Sequence, residues 1–349
     1  MSVPGGSRPT LEAVAARAGV SRATVSRVVN GGTGVRAEIR ERVRQAVAEL
    51  GYIPNIAARS LVTRRTGAVA VVIAEPEARV FSDPFFAQQL RGIGRELGAA
   101  DTQLLLMMVE SDRDHARIGR YLSGGHVDGA LMFSLHRADP LPAMAAAAGL
   151  PTVFGGRPDR SDDSDDGHAG AARPLYVDTD NRDGARQAVT HLVQRGRRRI
   201  AVITGPLDQT SAQDRLDGYR EALAPRPADP RLIADGGFTA EGGERAMGEL
   251  LDAAPDLDAV FACSDLMATG ALRTLRARGR RVPADVAVVG YDDLAPAAWA
   301  DPPLTTVRQD VQEMGRLMAR LLLDRLAADD GAHLSPVVTP ATLIVRDSS

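Results

Sequence analysis

Several stretches of the sequence set polar and aromatic side chains just past apolar runs, and together they supply what is needed to grip a small polyol. SDPFF carries Asp83, Phe85 and Phe86; GPLDQTSAQDRLDGY carries Arg215; GGFTAEGG carries Phe238; CSDLMATGAL carries Asp265; and GYDD carries Asp292. Carboxylates accept hydrogen bonds from hydroxyl groups, an arginine donates several at once, and aromatic rings cover the apolar faces of a sugar. A plain structural role competes at each position. Asp83 would cap a helix beginning at Pro84, Asp265 would cap the helix that follows it, and the three phenylalanines would be core.

The same residue types do not assemble into a catalytic or metal-binding pattern. The six histidines are dispersed, and none pairs with Cys or Glu at ligand spacing, so no metal site is expected. No GxSxG or P-loop is present, and Gly92, Gly94 and Gly98 lie inside an apparent helix rather than directly after a strand, where a dinucleotide loop must sit. Asp162, Ser164, Asp166 and Gly167 resemble the start of a calcium loop, but its last position would be Arg173 where an acid is required. The polar stretch 157–173 therefore reads as a surface loop. The single cysteine, Cys263, excludes an internal disulfide framework, and its setting in AVFACSD marks a buried thiol rather than a nucleophile. No enzyme activity and no cofactor are expected.

The elements that must carry these groups follow from patterning. The chain has 349 residues, 44% hydrophobic and 25% charged, enough for several cores. From Gly67 the sequence alternates apolar runs with helical segments: AVAVVIA (68–74) and a helix from Pro84, TQLLLMMV (102–109), DGALMFS (128–134) and LPAMAAAAGL. A second series comprises PLYVD (174–178), a helix near 181–195, RIAVIT (199–204), a helix near 212–223, DAVFACS (258–264) and DVAVVGYD (285–292). Such rhythm predicts an α/β body of two doubly wound, mostly parallel subdomains, with ligand in the cleft between them at strand carboxyl ends. The N-terminus lacks the apolar core of about 7–15 residues that a signal peptide needs, and no run approaches the roughly 20 apolar residues of a membrane span. A cytoplasmic location without membrane contact is expected.

Charge is unevenly spread. Residues 1–66 contain eleven arginines and four acids, a charge of about +7, so with the whole chain at −3 the remainder carries about −10. A basic head on an acidic body is expected where only the head approaches phosphate. Within that head, TLEAVAARAGVSRATVSRVVN has small Ala15 where two helices would cross, Gly19 in the turn and Val25 packing back on Ala15. Ser21 would cap a second helix running to about Asn30, and a third helix spans about 36–50. In GYIPNIAARSL, Pro54 breaks the chain and Asn55 caps a short segment ending near Leu61.

TVSRVVNG (24–31) and YIPNIAARSL (52–61) match the pattern of the lactose/galactose repressor family, which this chain resembles throughout. The resemblance implies an all-α helix-turn-helix head over 1–66, with a hinge helix at about 55–62, and a periplasmic-binding-protein-like body over 67–349. It divides that body into an N-subdomain of about 67–160 and 296–328 and a C-subdomain of about 170–293 and 332–349. It places Arg22, Ala23 and Arg27 on the groove-facing part of the recognition helix, with Thr10, Ser21, Thr24, Ser26 and Asn30 available for phosphate or base contacts. Arg22 and Arg27 can fork onto guanine O6 and N7, whereas Ala23 offers only an apolar contact. Asn55, Ala58 and Leu61 match hinge positions at the minor groove, where Leu61 would wedge between base steps. In similar repressors the positions of Phe85, Phe86, Ser211, Arg215, Phe238 and Asp292 line the effector cleft; Arg215 and Asp292 combine this match with the most suitable chemistry.

The sequence thus predicts a homodimeric transcriptional regulator, a repressor, bound to pseudo-palindromic double-stranded operator DNA and controlled by a small ligand of the sugar class. A solute-binding protein for transport, a sugar-modifying enzyme and a corepressor-dependent regulator with a nucleoside-type effector are the alternatives. The basic head speaks against the first, and the lack of a nucleophile with its base against the second.

Overall fold

The structure, a computed structural model, describes residues 9–29, 32–52, 65–158, 174–225, 229–328 and 333–349. Asn30, Asn55, Ala58, Leu61, the expected hinge helix and nearly all of the expected polar loop lie outside the described residues. The chain divides into two compact units, Met1–Gly67 and Ala68–Ser349.

Among the described residues the first unit holds three helices, α1 (Leu11–Ala18), α2 (Arg22–Val29) and α3 (Ala37–Leu50). Thr10 starts α1 by accepting the Ala13 N–H at 3.3 Å, and Gly19 ends it in the left-handed region at φ 62°, which a residue with a Cβ would enter under strain. The turn then delivers Ser21, whose Oγ accepts the Thr24 N–H at 3.2 Å and starts α2. Ala15 and Val25 are buried in one cluster with Val14, Ala18, Val43 and Ala46, as their spacing predicts. Each fully buried valine there contributes on the order of 1.5–3 kcal/mol, so a charge at Val25 would dismantle the unit.

Among the described residues the second unit contains two six-stranded sheets. The first is built from β1 (Ala68–Ile73), β2 (Gln103–Met108), β3 (Gly129–Phe133), β4 (Thr152–Gly155), β5 (Leu175–Thr179) and β11 (Val337–Thr339), in the order β11-β5-β4-β3-β1-β2. The second is built from β6 (Ile200–Thr204), β7 (Ile233–Asp235), β8 (Ala259–Ala262), β9 (Ala287–Asp292), β10 (Thr305–Arg308) and β12 (Thr342–Ile344), in the order β12-β10-β9-β8-β6-β7. Every pairing is parallel except β10 with β12. Strands such as β3, β6, β8 and β9 are buried along their whole length, which is why they read as unbroken apolar runs.

Sheet membership departs from the sequence expectation at three strands. Leu175–Thr179, read as opening the second series, pairs with β4 in the first sheet, with Leu175 opposite Val153. Val337–Thr339, expected in the second half, pairs with β5. Thr305–Arg308, expected in the first half, pairs with β9 in the second sheet. These strands are only 3–5 residues long and of mixed polarity, so hydropathy does not say which sheet edge they complete. The chain consequently passes between the two halves near 179–181, 308–311 and 339–342.

The helices that matter for the site are α4 (Glu77–Ser82), α5 (Pro84–Ala99), α8 (Asn181–Gln194), α9 (Thr210–Leu223), α11 (Asp265–Ala277) and α13 (Val311–Ala327); α6 (Asp112–Ser123), α7 (Leu141–Ala147), α10 (Ala240–Ala253) and α12 (Ala295–Trp299) complete the layers. The glycines noted within α5 have a packing reason at Gly92. A Cβ there would come 2.0 Å from the Gln312 carbonyl oxygen of α13, and one on Gly315 would come 2.2 Å from that of Gln89. The two helices therefore touch backbone to backbone, which fixes the face of α5 that looks into the cleft.

Candidate effector pocket and DNA-facing helix

A cavity of about 310 Å³ opens between the two halves of the second unit, at the carboxyl ends of the strands. Asp83, Phe85, Phe86, Ser211, Arg215, Phe238 and Asp292 all line it. The cap reading of Asp83 holds as well, because its Oδ1 accepts the Phe85 N–H at 2.9 Å and starts α5 after β1. The core reading of Phe86 also holds: it is buried and stacks on Phe133 with centroids 6.2 Å apart. Arg215 reaches in from α9, and Asp292 ends β9 with φ 114°. Ser134 and Phe238, both at φ 57°, occupy the left-handed region too. Non-glycine residues held there are strained, and in this unit three of them meet at one cavity.

Asp265 is the exception among the expected contacts. It is 1% exposed and does not line the cavity. Its Oδ1 accepts the Thr306 hydroxyl at 2.6 Å and its Oδ2 accepts the Leu294 N–H at 2.9 Å, so it ties β10 and the segment after β9 to α11. The cap of that helix is Ser264, whose Oγ accepts the Met267 N–H at 3.2 Å and which does line the cavity.

The floor of the cavity is formed where the chain changes halves. Asp178 Oδ1 accepts the Thr179 N–H at 2.8 Å and the Asn181 amide at 3.0 Å; Asn181 Oδ1 in turn accepts Arg215 Nε at 2.8 Å. Arg215 Nη1 also donates to the Cys263 carbonyl at 2.6 Å, and its guanidinium lies 3.7 Å from the Tyr291 ring centroid. Gln309 donates to Asp292 Oδ1 at 2.5 Å. Burial pushes the Asp292 carboxyl up from 3.8 to about 7, against the pull of Arg215. Burial also raises Asp178 and Asp83 above the usual carboxylate range, and it pushes the Cys263 thiol up to about 12, which removes it as a nucleophile near neutral pH.

The mouth is closed by contacts across the halves. His136 Nδ1 and Asp208 Oδ2 are 2.8 Å apart, Gln209 donates to Glu75 Oε1 at 3.1 Å, and Arg157 Nη2 sits 2.7 Å from both carboxylate oxygens of Asp214. Sequence reasoning missed Arg79, Gln89, His136, Asp178, Asn181 and Gln309. Arg157, read as the first residue of a surface loop, is a wall of this cavity. Among the described residues no group of His, Cys, Asp and Glu could hold a metal, and no helix is long and apolar enough to cross a membrane.

In the first unit, Ser21, Arg22, Ala23 and Arg27 are exposed on or just before α2, while Thr24 and Ser26 are half-buried. Arg22 Nε lies 3.2 Å from Glu12 Oε1, an exposed, solvent-screened pair that yields readily to a base edge. Thr10 is exposed at the start of α1. An exposed helix with two arginines after a short turn has the size and the donors that fit a major groove.

A family model described as bacterial regulatory proteins, lacI family, matches residues 10–55, and one described as periplasmic binding protein-like domain matches 189–349. The HTH-type transcriptional regulator CelR of Thermobifida fusca is 52% identical over 345 residues, 98% of each chain. A solved structure of a CelR–cellobiose complex superposes with TM-score 0.76 at 49% identity, covering 98% of this chain and 100% of that one. The lac repressor dimer bound to operator and the anti-inducer ONPF superposes with TM-score 0.83 at 30% identity, covering 98% and 99%.

Proposed function

The chain belongs to the lacI family of bacterial regulatory proteins, and on that premise we propose that its cleft takes cellobiose or a closely related glucose oligosaccharide as effector. The protein is a sequence-specific DNA-binding transcriptional regulator with a body of the periplasmic-binding type. The observation that carries the effector reading is the cavity itself. It sets Arg215, Asp178, Asp83 and Asp292 beside Phe85, Phe86 and Phe238, donors and acceptors next to ring-covering aromatics, in a chain 52% identical to CelR. Arg22 and Arg27 read bases, and Ser21, Ala23, Thr24, Ser26 and Thr10 complete the contact set. The regulator acts as a homodimer in the cytoplasm, represses, and performs no chemistry on its sugar. Effector binding biases the angle between the two halves across the three chain crossings, and so the placement of the two heads. Isothermal titration calorimetry of the full chain with cellobiose, maltose, ribose and hypoxanthine tests this: saturable heat with cellobiose is expected, and saturation by another ligand with none from cellobiose overturns it.

A further inference from the structure

Two polar atoms in residues that line this cavity have no hydrogen-bond partner among the described residues, and both belong to the half built on the first sheet. Gln89 on α5 is 1% exposed; among the described residues its Nε2 donates only to the Met318 sulfur, at 3.2 Å, and its Oε1 accepts no hydrogen bond. Turning the amide over exchanges its ends and still leaves one against a thioether and the other bare. Nor can α5 shift to relieve it, because Gly315 presses directly on the Gln89 backbone.

Arg79 on α4 is the second. Its Nη1 pairs with Glu75 Oε1 at 2.6 Å, and the guanidinium lies 5.7 Å from the Phe86 centroid and 5.6 Å from that of Phe238 in the other half. Glu75 Oε1 also accepts Ser134 Oγ at 2.6 Å and Gln209 Nε2 at 3.1 Å, so the acid that holds Arg79 is itself held from both halves. Arg79 is thereby fixed between two rings with a buried Nε that donates to none of the described residues.

We propose that Arg79 and Gln89 are specificity-determining residues: Arg79 Nε donates to one effector oxygen, Gln89 Oε1 accepts from one effector hydroxyl, and the pair rejects sugars lacking either. This rests on the sugar reading of the cavity. A buried group built to pair with a hydroxyl discriminates strongly against the analogue without it, since the protein atom is then left bare. An apolar wall in the same place would discriminate far less.

Calorimetry of the full chain with cellobiose and a set of monodeoxycellobioses tests it, using wild type, Gln89→Met and Arg79→Met. Each variant is expected to bind cellobiose about 10–100-fold more weakly, and each is expected to become indifferent to one monodeoxy compound that wild type rejects by about tenfold or more. Should Arg79→Met unfold, Arg79→Lys keeps a cation beside Glu75, lacks Nε, and is expected to show the same indifference. Variants that bind cellobiose as wild type does, or that weaken every sugar equally with the deoxy penalties unchanged, overturn the proposal while leaving the sugar reading intact. Wild type silent to all these sugars overturns the sugar reading and this inference with it.

Discussion

Arg215 Nη1 stands 3.8 Å from Asp292 Oδ1, and both side chains are sealed at the cavity floor. The closer contacts of the guanidinium go elsewhere, to Asn181, to the Cys263 carbonyl and to the Tyr291 ring. Arg215 is therefore a brace between α8, α9 and the strand ends as much as a donor to ligand. Arg215→Ala removes the cation beside the buried Asp292 and the donor to Asn181 Oδ1 and the Cys263 carbonyl, and is expected to cost about 3–5 kcal/mol of stability as well as the effector response. Urea unfolding checks this, and a loss below about 1 kcal/mol would show that the brace carries little.

Asp292 offers a cleaner probe through pH. Its folded-state pKa is raised from 3.8 to about 7, so its protonated form is the one folding favours. The contribution is fully present below pH 3.8 and is lost as pH rises toward about 7. Asp292→Asn keeps the shape and never ionises. The stability of wild type relative to this variant is thus expected to fall across that window, read from thermal melts at matched pH values. A difference that is flat, or that grows with pH, contradicts the assigned burial.

Much of this site was legible because the groups sit where apolar strands end. Phe85, Phe86, Ser211, Arg215, Phe238 and Asp292 each follow a strand or begin a helix beside one, and parallel sheets bring those ends together. Gln89 was not legible: Gln88 and Gln89 are neighbours of identical type, and the close packing of Gly92 on Gln312 and of Gly315 on Gln89 decides which one turns inward. Asp178, Asn181 and Gln309 were missed because they flank chain crossings, and the strands that create the crossings were assigned to the wrong halves. Asp265 was misread because its type and position suit a ligand contact equally well, while Thr306, which occupies its oxygen, lies 41 residues away in the chain.

The mouth contacts predict a kinetic effect. Arg157 Nη2 bridges both carboxylate oxygens of Asp214 across the halves at 2.7 Å, partly exposed, so the pair adds little to stability but ties the two halves together at the mouth. Arg157→Ala is expected to speed effector release a few-fold, measured by stopped-flow dilution of the complex. Unchanged release would place the closing interaction elsewhere at the mouth, with His136–Asp208 the next to test.

On the DNA side, the exposure of Arg22 and its weak, exposed pairing with Glu12 leave it available to a base edge. Arg22→Ala is expected to cost about 1–3 kcal/mol on the preferred operator and less on a duplex altered at one base pair. Equal losses on both duplexes would make Arg22 a phosphate contact. Affinity of the unaltered chain should also fall with salt, by a log–log slope of about −0.9 per phosphate neutralised.

The most direct test joins the two units. Full-length protein is titrated against a labelled operator, chosen by the protein itself from random duplexes, in fluorescence anisotropy with and without saturating cellobiose. The account predicts tight binding without sugar and a Kd raised about tenfold or more with it, the usual size of a coupling free energy between sites. An unchanged Kd at a cellobiose concentration that calorimetry shows to be saturating would contradict the claim that this cleft controls this DNA-binding head.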